Sequence, residues 1–180
     1  MVTRPSRRIN TTQNDSLDLG LQLSDHLQYH DWQIHWRAGI DGRTGVKAFE
    51  REFDDKNTQA FAHLNLNAEQ WEYSVAADAS RDFAKHSLAG GARLAHQIQK
   101  NKLGSASPIH QSQKGSSQKE HNLSAFLGYG YQLNNNWKWS SYVSNAYRVP
   151  SLTERFFNGS TPRGTVLGDT NLRTETATNI

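Results

Sequence analysis

From Asn122 to Leu133, neighbouring residues alternate between two kinds of surroundings. Leu123, Ala125, Leu127, Tyr129, Tyr131 and Leu133 are apolar or aromatic, whereas Asn122, Ser124, Gly128, Gly130 and Gln132 are polar or small. Side chains on a strand point to opposite faces in turn, so this run suits a sheet with one apolar and one polar side. The same period of two returns in Leu17–Leu23, Trp32–Ile40, Ala60–Ala68, Trp71–Ala79, Leu88–Ile98 and Trp137–Val143. Seven such segments and no 3.6-residue stripe predict an all-β chain of antiparallel up-and-down strands.

The connections bear on what kind of sheet this is. Ser24–His26, Asn67–Gln70 and Asn134–Asn136 read as tight turns, while Asp41–Lys56, Gln99–Glu120 and Ala146–Leu172 read as long polar loops. Short turns at one end and long loops at the other predict a partial transmembrane β-barrel. Trp32, Trp36, Trp71, Tyr129, Tyr131, Trp137 and Trp139 sit near segment ends, where a girdle at the membrane interface needs aromatic rings. One conflict stands in this reading: the Ser80–Ser87 and Gln99–Glu120 loops follow each other with no tight turn between them. Residues 1–14 are polar and basic and read as a loose tail, with the sheet spanning 15–180.

Composition agrees with a sheet wet on one side. Only 35% of the 180 residues are hydrophobic, yet there are five Trp, six Tyr and seven Phe. The absence of cysteine excludes disulfides and thiolate chemistry. A net charge of +3, without a basic run interleaved with aromatics, gives no nucleic-acid footprint. No apolar run is long enough for a transmembrane helix, and Met1–Asn10 lacks the apolar core of a signal peptide.

Catalytic and metal motifs are missing as well. There is no Walker loop, dinucleotide fingerprint, His-Glu-x-x-His or Gly-x-Ser-x-Gly, so neither an enzyme nor a cofactor is expected. Of the eight histidines, His26 is placed in a turn, and His30 and His35 on opposite faces of one strand, so the three do not converge on a metal. His86 and His110 read as exposed loop residues. Asp54-Asp55 and Glu50/Glu52 stand among Arg51 and Lys56, as in a solvated, self-neutralising loop.

The richest stretch is C-terminal. Pro150 has no N–H for a ladder and ends the strand before it, and Ser151 is placed to cap a short turn. Phe156-Phe157 and glycines 159, 164 and 168 then suggest a long exposed loop. Tyr147, Arg148, Pro150, Ser151, Leu152 and Glu154, followed by Gly168, Asn171, Leu172 and Glu175, resemble two motifs of the TonB-dependent outer-membrane receptors. Val149 replaces the usual Ala, Asp169-Thr170 stands for Asn-Pro, and Thr174 for the second Pro. The strand pair over Leu123–Tyr147 is similar to the one that precedes these motifs in that family.

The resemblance implies an outer-membrane location in a Gram-negative bacterium and energised uptake of a scarce ligand, such as a ferric siderophore or another metal chelate. The implied partners are the TonB energy-transducing complex, acting through a plug domain, and outer-membrane lipid. No His lies in residues 149–170, so the haem-receptor subgroup is not favoured. Family barrels have about 22 strands, against seven expected here. The chain therefore reads as a fragment without signal peptide or plug, not functional alone. Phe156, Phe157 and Arg163, in the Arg155–Leu167 loop, are the candidate ligand contacts, with Arg163 suited to an anionic chelate. The alternative is a soluble secreted β-sandwich that serves as a binding module.

Overall fold

A computed structural model describes residues 13–53, 59–103, 116–161 and 164–180. Strands β1 (Gln13–Tyr29), β2 (Trp32–Phe53), β3 (Gln59–Phe83), β4 (His86–Asn101), β5 (Ser117–Gln132) and β6 (Lys138–Arg148) follow one another. Helix α1 (Leu152–Phe156) and a hairpin of β7 (Asn158–Thr161) and β8 (Gly164–Leu167) come next, and β9 (Glu175–Asn179) closes the order. One antiparallel sheet of seven strands runs β1-β2-β3-β4-β5-β6-β9, with β7-β8 as a separate pair. The sheet is open, with β1 and β9 at its edges.

The main sheet has seven strands among the described residues, but they are not the expected seven. Ala60–Ala68 and Trp71–Ala79 are halves of β3, which is 25 residues long, and β9 is the added member. The supposed turn at Asn67–Gln70 lies inside β3, with Asn67 opposite Lys47 and Gln70 opposite Arg43. Its polarity marks a strand that has left the apolar belt, not a change of direction. Fusing the halves also removes the conflict over connections. The chain turns at Ala84-Lys85, so Ser80–Asp82 and Ser87 belong to strands.

Two further boundaries move. Ser24–His26 is strand, with Ser24 opposite Arg37 and His26 opposite His35, and the turn comes at His30-Asp31. His26 and His35 therefore share a face, their rings 6.5 Å apart. The Asp41–Lys56 loop is mostly β2, which continues to Phe53. A bulge between Arg43 and Val46 inserts one residue around Gly45, whose φ is +67°. The inserted residue shifts the parity of every later side chain, so the alternation breaks although the strand does not. Gln99–Asn101 and Ser117–Glu120 are likewise strand, and the low-complexity middle of that loop lies outside the described residues. So does most of the expected tail, although Gln13 and Asn14 already pair with Phe49 and Ala48.

Connections now alternate between the two ends of the sheet, short at one end and, apart from the five residues 54–58, long at the other. Residues 30–31, 84–85 and 133–137 join strands at one end, and 102–116 and 149–174 at the other. Asn134 tightens the third turn by accepting hydrogen bonds from Asn136 N (2.9 Å) and Trp137 N (3.0 Å).

Register separates the two faces. Leu21 pairs with Ile40, Ile40 with Tyr73, Val75 with Leu94 and Leu94 with Leu123. This outward face leaves Leu21 65% exposed, Leu94 57% and Leu123 54%, an arrangement water would penalise. No second sheet packs against it among the described residues. The opposite face is polar. Arg43 grips Asp18 through two hydrogen bonds of 2.8 and 2.9 Å, Arg93 pairs with Glu72, and His35 lies 3.4 Å from Asp78.

Aromatics border the apolar face at both levels. Tyr29 opposite Trp32, and Tyr131 opposite Trp139, lie near the short turns. There Arg81 sits over Trp32 and Phe83 at 5.9 and 5.8 Å and pairs with Asp31. Trp71 and Tyr73 lie toward the other end. From the Tyr131 level to the His121 level, a strand tilted by about 45° rises about 23 Å, close to the apolar band of an outer-membrane barrel.

Candidate functional site

The return from β6 to β9 does not stand out as an exposed loop; it folds onto the polar face of the sheet. Ser151 starts α1 as a capping box. Its Oγ accepts from Glu154 N at 3.2 Å, and the Glu154 carboxylate accepts from Ser151 N at 2.7 Å. That N–H and the Arg148 guanidinium hold the Glu154 carboxyl below its ordinary value. Arg148 faces two ways. It donates to both Glu154 oxygens at 3.1 Å and forms a two-pronged pair with Glu175 at 3.0 and 2.8 Å. One guanidinium thus ties the end of β6, the helix and the start of β9 together.

Leu152, Arg155 and Phe156 occupy the buried side of the helix, as i, i+3 and i+4 spacing requires. Leu152 and Phe156 pack with Ala48, Leu66 and Ala68, and Val46 and Phe157 flank the cluster. The bulge in β2 turns Val46 and Ala48 to this side. Phe156 is fully buried, which withdraws it as a ligand contact: its ring is core between the helix and the sheet. Phe157 is half-buried against the same cluster. Arg163 lies outside the described residues.

Arg155 is the centre of the site, only 1% exposed. Its Nη1 donates to Gln99 Oε1 at 2.7 Å, and its Nη2 donates to Leu172 O at 2.9 Å and pairs with Glu120. Gln99 in turn donates to Gln70 Oε1 at 2.8 Å and Pro150 O at 2.9 Å, and Thr174 donates to Glu120. A buried cation is tolerable only with such a shell. β3, β4, β5 and both ends of the return segment all contribute to it.

The two sequence motifs meet in space. Gly168 N donates to Phe157 O at 2.6 Å, and Asp169 N to Glu154 O at 3.0 Å. A Cβ on Gly168 would lie 2.6 Å from the Arg155 carbonyl carbon, so only glycine lets the second motif close on the first. Asp169 Oδ1 accepts from Asn171 N at 2.8 Å, the turn-forming role open to either Asn or Asp.

Arg155, Gln99, Glu120, Gln70 and Thr174 escaped the sequence reading. One signal was present: an arginine on the apolar stripe of a short helix needs a counterion. Gln99 and Glu120 were hidden because both stood at the ends of an expected loop. Asn145 was missed too. Where β5 and β6 part, its side chain accepts from Ala125 N at 2.8 Å and donates to Leu123 O at 3.0 Å, standing in for a ladder pair.

Among the described residues no group of three or more His, Asp or Glu could hold a metal. The geometry is that of a polar wall with a segment pinned to it.

Comparison with known proteins agrees with this architecture. The family described as TonB dependent receptor-like, beta-barrel matches residues 2–180. A solved structure of the "Copper transporter OprC" superposes with a TM-score of 0.76 at 18% sequence identity, covering 93% of this chain. The chain spans 27% of the length of that structure. The comparison with curated proteins finds no match. The family match over nearly the whole length, and the open sheet with its pinned return segment, place this chain in the TonB-dependent receptor β-barrel family.

Proposed function

We propose that the chain is a section of the wall of an outer-membrane receptor that takes up a scarce small ligand. The observation that carries this reading is the sheet's two-sidedness. A leucine-rich face about one bilayer core tall backs a face of ion pairs and amides onto which the β6–β9 connection folds. In this reading the leucines meet lipid, the ion pairs line the barrel interior, and the long connections lie at the cell surface. The open edges need further strands from the rest of a receptor, because unpaired backbone in lipid costs several kcal/mol per group.

Transport is driven by the TonB complex acting on a plug inside the barrel, and the cargo is a metal chelate. A ferric siderophore fits the family reading, and the copper named for OprC supports metal cargo more broadly. Arg163 and Phe157 are the proposed contacts for an anionic chelate, Arg163 because a guanidinium suits planar anionic groups. The soluble β-sandwich is disfavoured by the exposed leucines, which a sandwich would bury.

An uptake assay tests the reading. Placed as the corresponding section of an intact receptor, this sequence should support accumulation of a radiolabelled ferric chelate in cells with TonB and not in cells without it. Accumulation independent of TonB would contradict it.

A further inference from the structure

The outward face is not apolar to its end. Above Trp71 and Ile98, on the same side of the sheet, Lys100 stands opposite Glu69 and Ser117, and Lys119 stands opposite Ile98. Lys102 joins them. Lys100 and Lys102 share Glu69 at 3.9 and 2.5 Å, and both remain about half exposed. Lys119 is exposed and has no ion-pair partner among the described residues. Three ammonium groups thus face outward with one carboxylate between them.

Directly below, His96 and His121 are cross-strand partners with rings stacked 4.3 Å apart, and Tyr73 stacks on His96 at 6.4 Å. His96 Nδ1 is buried without a hydrogen-bond partner among the described residues. Below these rings a shallow groove of about 550 Å3 runs between Leu21, Leu23, Ile40, Val75, Leu94 and Leu123.

We propose that this corner is a binding site for a membrane lipid with an anionic phosphate headgroup. The phosphate lies against Lys100, Lys119 and the imidazole pair, and an acyl chain lies in the leucine groove. The site rests on the reading that the leucine face meets lipid. Charge complementarity selects the occupant. An excess of cations at the upper edge of an apolar band has no use for a zwitterionic headgroup, and each lysine near an anionic lipid surface gives about a fivefold preference. Lysine suits the position because its methylene stem lies along apolar surface while its ammonium reaches the headgroup level. The luminal cations differ, since Arg43 and Arg93 are paired one-to-one with carboxylates.

The test uses an intact receptor that carries this chain as its corresponding section, purified in zwitterionic micelles that contain equal amounts of phosphatidylglycerol and phosphatidylcholine, with retained lipid counted by native mass spectrometry. Phosphatidylglycerol should be retained at least tenfold over phosphatidylcholine. The double substitution Lys100→Gln and Lys119→Gln should bring that ratio within twofold, whereas Lys100→Arg with Lys119→Arg should keep it. Lys138→Gln, on the other face, should change nothing. Equal retention of the two lipids by the unaltered chain would overturn the site and leave the membrane reading standing. Retention of neither would overturn both. Loss of the preference when inorganic phosphate is added would show an ion site and overturn lipid docking.

Discussion

Arg155 shows how one residue can fix the path of a long connection. Its guanidinium joins Gln99 on β4, Glu120 on β5 and the carbonyl of Leu172, so the return segment is held to the sheet at both ends. Replacing it with methionine keeps volume on the buried helix face but strands the Glu120 carboxylate and the Gln99 amide. Breaking a buried pair from one side costs about 3 kcal/mol. Arg155→Met should therefore lower the urea midpoint of a micelle-refolded receptor that carries this section and open residues 149–174 to protease. An unchanged midpoint with unchanged cleavage would show that the arginine holds nothing. At this scale the sequence was legible where a residue acts on near neighbours, as with Ser151 capping and Pro150 ending a strand. It was silent where partners lie far apart, because nothing local joins Arg155 to Gln99 or Thr174 to Glu120.

Elements were most legible inside the apolar belt; beyond it Ala60–Ala68 was read as strand, but its continuity with Trp71–Ala79 was missed. From Leu123 to Leu133 one face meets an apolar medium and the other a polar one, so alternation reports strand directly. Past the belt, at residues 46–48 and 66–68, the inner side packs against α1 and the outer side is polar, so the apolar face of the same strands changes sides. The bulge between Arg43 and Val46 then reverses the parity, and strand was read as loop. Turns betrayed themselves only when their residues carried turn chemistry. Asn134 does. Ala84 does not, yet it holds a φ of +52°, a region that disfavours a Cβ by about 1 kcal/mol. Ala84→Gly should accordingly raise stability by about 1 kcal/mol in the same denaturation series, with no change in the amount of strand by circular dichroism. A loss of stability would mean that chain entropy outweighs the relief of strain at this turn.

The whole molecule is an inverted amphipathic sheet, its large apolar side chains outside and its charges inside. That inversion makes the open architecture intelligible: among the described residues the leucines are not buried in a core, and a buried apolar cluster joins α1 to the inner face of β2 and β3. The direct measurement is which side of the sheet meets lipid. Single nitroxide labels at residues 19 to 24 of β1, in the chain reconstituted into bilayers as part of the receptor barrel, report accessibility to oxygen and to a water-soluble nickel chelate. Labels at positions 19, 21 and 23 should favour oxygen, and those at 20, 22 and 24 the nickel chelate, out of phase residue by residue. Uniform accessibility to the nickel chelate, or the opposite phase, would contradict the assignment of the leucine face to the membrane.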